Sequence, residues 1–137
     1  PLGELNKMAG RKASVKVNKA KTTEKFVMED VSDLPKEFDW GHVLGPVRKQ
    51  LSCGSCYIFA TMQMLEARLK IKYDEKVELS IQHPLDCAFF TQGCKGGYPY
   101  LIELFASQFE LVPASCSKYK AQNGECGTCD VASLDKV

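Results

Sequence analysis

At 137 residues the chain is long enough for one domain with its own core, and 45% hydrophobic with 26% charged residues is a globular balance. A formal charge of +1 supplies no field to draw in nucleic acid or an anionic membrane, so neither is expected as a partner. No apolar run reaches the length that crosses a bilayer, so no membrane span is expected.

The chain starts at Pro1 without a signal-peptide layout and reads as a mature product or an internal piece. Residues 1–33 lack periodicity and crowd Lys7, Arg11, Lys12, Lys16, Lys19, Lys21 and Lys25 among Ala, Ser, Asn and Thr. Such a tract can bind polyanions, but its small polar neighbours read as solvated linker or pro-segment. A folded region is expected from Leu34-Pro35, where LPKEFDW supplies apolar residues and Trp40, the single tryptophan. Gly41, Gly45 and Pro46 make the next stretch loop-like.

Residues 56–73 contain neither Gly nor Pro. Phe59, Met62, Leu65 and Leu69 recur there at helical spacing, with Gln63, Glu66, Arg68 and Lys70 as the polar side. This pattern predicts a helix capped by the Ser55 side chain. Residues 80–97 read as irregular and end in a Gly pair. A second amphipathic run carries Tyr98, Leu101, Ile102, Phe105 and Phe109, and a cysteine-studded loop follows from Pro113. Little alternation argues for a sheet, so the region is expected to be mainly helical.

Seven cysteines, none before Cys53, are many for this length. They point to an oxidising route: the secretory pathway, a lysosome-like vesicle or the exterior. An odd count suggests pairs plus one unpaired thiol. QLSCGSCY at 50–57 holds the C-x-x-C pair whose role decides the chemistry. A zinc site wants a second dyad at short range, whereas Cys126 and Cys129 lie far downstream and Cys87, Cys94 and Cys116 would be stranded. A redox dithiol follows a strand, and residues 34–52 read as turns.

A third reading separates the two cysteines. Cys56 falls in the first turn of the predicted helix, where unpaired amides and the macrodipole favour a thiolate. Cys53 is then free to staple the preceding loop, and the Gln50 carboxamide can donate a hydrogen bond to an oxyanion. His42 and His83, the only histidines, sit in loops and read as surface residues. Tyr98 and Tyr100 can be read simply as packing residues at a helix start, Tyr98 equally well so.

QLSCGSCYIFA, with LPKEFDW and PVRKQ upstream and LSIQHPLDC and QGCKGGYPYLI downstream, resembles the active-site segment of papain-like cysteine peptidases. The resemblance covers about residues 34–129. Tyr57 in place of the usual Trp, MLEAR at 64–68 and GGYPYLI at 96–102 resemble the cathepsin C, or dipeptidyl peptidase I, branch. This implies an α+β papain-like fold. Residues 34–137 would be its mainly helical, disulfide-stapled left lobe, incomplete, and residues 1–33 its activation segment.

The resemblance further implies that Cys56 attacks a peptide carbonyl and that Gln50 lines the oxyanion hole. Gly96 and Gly97, with Tyr98 beside them, would form a substrate-binding wall, and Tyr100 would help bind a chloride ion. No organic cofactor and no metal are expected. The implied disulfides join Cys53 to Cys94, Cys87 to Cys126 and Cys116 to Cys129. In the family the catalytic His and Asn belong to a second, β-rich lobe. The chain is therefore expected to need that lobe or light chain and an exclusion domain, in a tetramer, and to be inactive alone. The implied reaction removes dipeptides from free N-termini of peptide or protein substrates through a thioester on Cys56. A catalytically silent papain-like lobe serving as an interaction module is the competing reading, and the presence of both Gln50 and Cys56 weighs against it.

Overall fold

The computed structural model describes residue 3, residues 7–10 and residues 32–129. The basic residues from Arg11 to Lys25, read as linker, lie outside the described residues. The central element is α1 (Cys56–Tyr73), followed by a short α2 (Gln82–Cys87) and by α3 (Pro99–Gln108), with 3-10 turns at Gly41–Val43 and Gly93–Lys95. An isolated antiparallel bridge joins Leu79 and Pro113, flanked by Ser80 N–H donating to the Val112 carbonyl at 2.8 Å, and Gly97 is a further bridge residue.

Unbroken by Gly or Pro, α1 runs until Asp74 turns left-handed (φ 58°), its N–H still bonded to the Lys70 carbonyl at 3.1 Å. Tyr57, Ile58, Phe59 and Met62 are buried and meet Ile102 and Phe105 of α3 in one core. Proline at the first turn starts α3, where the missing N–H leaves no helical bond unmade.

Four expectations are corrected. Glu66, assigned to the polar face of α1, is buried: it accepts from Leu79 N–H at 2.8 Å and pairs with Arg48 at 3.1 Å. A carboxylate is tolerated there because a guanidinium and a backbone donor replace its water. Ser55 occupies the cap position of α1, but its side chain makes no capping bond. The stretch expected to be irregular contains α2 and the 3-10 turn Gly93–Lys95; a six-residue helix is too short to show periodicity. His83 is half-buried and edge-on to Phe105 (centroids 5.5 Å), and its buried Nδ1 has no hydrogen-bond partner. His42 is exposed as expected, and so are Leu34, Phe38 and Trp40, which the sequence reading placed at the start of the folded region.

Candidate active site

The loop entering α1 gathers the residues singled out by the sequence. Leu51 is left-handed (φ 57°), an uncommon state for a residue with a side chain, and it folds Gln50 back over the turn. Gln50 Nε2 then donates to the Cys53 carbonyl at 2.7 Å. One N–H of the carboxamide is thereby tethered, which sets the direction of the other. That second donor holds the Met8 carbonyl at 2.8 Å. Cys56, the first residue of α1, is half-buried and in no disulfide. Cys53 is bonded to Cys94, Cys87 to Cys126 and Cys116 to Cys129.

The Gly96-Gly97 segment is held to this loop both covalently and by hydrogen bonding. Beside the Cys53–Cys94 bond, Gly54 N–H donates to the Cys94 carbonyl at 2.9 Å. Tyr57, only 1% exposed, lies beneath the segment, and a Cβ added at Gly97 would stand 2.6 Å from its ring. The Tyr57 hydroxyl is 3.2 Å from both the Gly93 carbonyl and Thr91 Oγ1. Burial pushes this phenol above its ordinary value, so it stays a protonated donor.

Residues 8–10 lie in the groove between Gln50 and Gly97. Gly97 N–H donates to the Gly10 carbonyl at 2.8 Å, while the Met8 carbonyl accepts from both Gln50 Nε2 and Gly10 N–H. Gly10 is buried, and a Cβ there would overlap the Gly54 carbonyl. Sequence reasoning missed this contact, because a lone glycine in a low-complexity tract looks like any linker glycine.

One further residue escaped it. Tyr119 hydroxyl donates to the Gln50 carbonyl at 2.7 Å and lies 2.7 Å from Ser55 Oγ, the hydroxyl expected to cap α1. Tyr98 is half-buried at the start of α3, its ring 5.5 Å from that of Tyr100. Tyr100 is 56% exposed, and the two rings by themselves do not enclose an anion. Among the described residues no three His, Cys, Asp or Glu converge as metal ligands, and no helix is long and apolar enough to cross a membrane.

Residues 34–136 match the family of papain family cysteine proteases. Caricain from Carica papaya is 42% identical over 106 residues, covering 75% of this chain and 30% of caricain. Cathepsin C from Schistosoma mansoni is 36% identical over 109 residues, covering 71% of this chain and 24% of that protein. The ragweed pollen cysteine protease Amb a 11, crystallised in its proform, superposes with a TM-score of 0.66 at 27% identity, over 72% of this chain and 31% of its own. The chain thus spans under a third of the length of these relatives. The higher identity to caricain means that overall similarity does not place the chain in the cathepsin C branch. With a family match across most of its length and a helical, three-disulfide lobe shaped like those of solved members, the chain belongs to the papain family of cysteine proteases.

Proposed function

We propose that this chain is the nucleophile-bearing lobe of a cysteine peptidase of the cathepsin C type. The observation that carries the peptidase reading is the spare Gln50 N–H, which already holds a peptide carbonyl, that of Met8, at 2.8 Å. It does so from the loop that ends on the unpaired Cys56. A donor held by its own loop before substrate arrives needs no reorganisation when charge develops on that oxygen.

In this reading Cys56 Sγ bonds to the scissile carbonyl carbon, and the oxygen takes the charge. Gln50 Nε2 and the Cys56 amide, unpaired at the start of a helix, receive it. The C–N bond breaks and the amine leaves with a proton from an imidazole on the second lobe. Water then splits the thioester, releasing the acid and restoring the thiol. Gly97 N–H, now on Gly10, pairs with the backbone of an extended substrate. Tyr98 flanks this wall.

Removal of dipeptides from free N-termini rests on Tyr57, MLEAR and GGYPYLI, and on the 36% identity to a cathepsin C. The second lobe with its His and Asn, an exclusion domain, a tetramer and chloride near Tyr100 belong to the same reading. So does a secreted or lysosome-like location, which suits three disulfides. Residues 1–33 are then an activation segment, with residues 8–10 as the part that fills the cleft.

Three measurements on the complete, processed protein test the reading. A thiol-directed epoxide should label Cys56, and Cys56→Ala should abolish both labelling and turnover. Undiminished hydrolysis by Cys56→Ala would end the peptidase reading. A dipeptide amide with a free amino terminus should be cleaved and its N-acetyl form spared; equal rates would leave a cysteine peptidase without the dipeptidyl restriction.

A further inference from the structure

We propose that Tyr119 is a positioning residue for the oxyanion hole, acting through Gln50. The inference rests on the peptidase reading above and assigns a role to a residue far from the motif.

Tyr119 stands in the cysteine-rich loop after α3, yet its hydroxyl meets Gln50, just before the C-x-x-C turn, and Ser55 within it. It donates its proton to the Gln50 carbonyl at 2.7 Å. A phenol has one proton and a carbonyl can only accept, so the 2.7 Å contact with Ser55 Oγ must be Ser55 donating to Tyr119. The result is a directed chain from Ser55 hydroxyl through Tyr119 hydroxyl to the Gln50 carbonyl. Ser55 is fully buried and immediately precedes Cys56, and Gln50 carries the carboxamide that holds the Met8 carbonyl. The bridge therefore fixes the donor of the hole relative to the first residue of the nucleophile's helix.

Two observations show that this turn needs holding. Leu51, between Gln50 and the disulfide at Cys53, is left-handed at φ 57°, a state that persists in a residue with a side chain when its surroundings impose it. Ser55 also forgoes the capping bond typical of its position and gives its hydroxyl to Tyr119.

Tyr119 is itself anchored. Its ring meets Phe59 edge-on at 5.0 Å, and the next residue is gripped by Gln82, which accepts from Lys120 N–H at 2.8 Å. Gln82 Nε2 also donates to the Gln122 carbonyl at 2.9 Å. Burial pushes the phenol above its ordinary value, which favours the protonated donor.

The test is Tyr119→Phe in the complete, processed protein, which deletes one oxygen and keeps the ring on Phe59. Losing a whole oxyanion donor costs on the order of 100-fold or more in kcat, so loosening one is expected to cost about tenfold. The fall should appear in kcat per epoxide-titrated site, with KM within about twofold. A peptide aldehyde, whose adduct with Cys56 places an oxyanion in the hole, should bind weaker by the same factor. Epoxide alkylation, which forms no such oxyanion, should keep its rate.

A Gln50→Ala background separates positioning from general support: there Tyr119→Phe should add no loss, and an independent tenfold loss would overturn the proposal. Unchanged kcat per titrated site in Tyr119→Phe would overturn it too. If that variant fails to fold, Ser55→Ala, which removes the donor into Tyr119, should lower kcat about threefold, and no change refutes the bridge. Failure of the epoxide to label wild-type Cys56 would instead remove the peptidase reading and this inference with it.

Discussion

A side chain at Gly10 would overlap the Gly54 carbonyl, so residues 8–10 can lie along the wall only with glycine there. Gly10→Val is therefore expected to open the cleft: the unprocessed complete protein should react with a thiol-directed epoxide several-fold faster than wild type. Met8 contributes a main-chain carbonyl, so Met8→Ala should leave that rate within about twofold. His83 makes a second residue-scale prediction. Burial holds its imidazole below the ordinary value of 6.5, with Asp86 pulling weakly the other way. Neutral His83 is favoured in the fold, so its contribution is complete above pH 6.5 and is lost as pH falls through the depressed value. His83→Phe should flatten that part of the melting-temperature profile on the acid side. Cys56 and Gln50 were legible because thiol, helix start and carboxamide lie within a few residues of one another. Tyr119 was not, because nothing local marks a tyrosine that acts 69 residues away.

At the scale of elements, α1 and α3 were readable from periodicity. The six residues of α2 were not, because that helix is organised from outside: Ser80 Oγ accepts His83 N–H, and Gln82 binds the C-terminal loop. The polar side of α1 failed at Glu66 because pattern alone cannot see Arg48 arriving from the preceding loop. Removing that carboxylate leaves a largely buried guanidinium and an unpaired Leu79 N–H, so Glu66→Ala should cost about 3 kcal/mol in denaturant unfolding. Burial raises the Glu66 carboxyl above 4.5 although Leu79 N–H and Arg48 oppose it. The protonated form thus binds the fold better. This part of stability is whole below pH 4.5 and fades as pH rises through the raised value, a slope that Glu66→Gln should remove. The Cys53–Cys94 bond spans 41 residues and joins the Cys56 loop to the Gly96-Gly97 wall. Chain entropy puts its loss in a Cys53→Ser/Cys94→Ser variant at about 4 kcal/mol.

At the scale of the whole molecule, the chain supplies under a third of the length of its relatives. Its fold class was legible because several motifs agree in order. Which segment fills the cleft was not, since that depends on a main-chain carbonyl that any residue type provides. Excising residues 1–33 from the complete protein should expose the Gln50 donor and the Gly97 N–H together, and epoxide labelling of Cys56 before and after the cut measures it.

The carbonyl on Gln50 belongs to the same chain as Gln50, so its effective concentration is set by the connecting chain, on the millimolar scale of tethered ligands. Main-chain hydrogen bonds worth about 1 kcal/mol each can then hold a groove shut, although a separate peptide of the same sequence would bind too weakly to do so. Diluting the protein leaves that balance untouched. With residues 1–33 in the proposed role of an activation segment, a single cut does not: it releases the segment to its bulk concentration, many orders of magnitude lower, and would free the groove without any change in the groove itself.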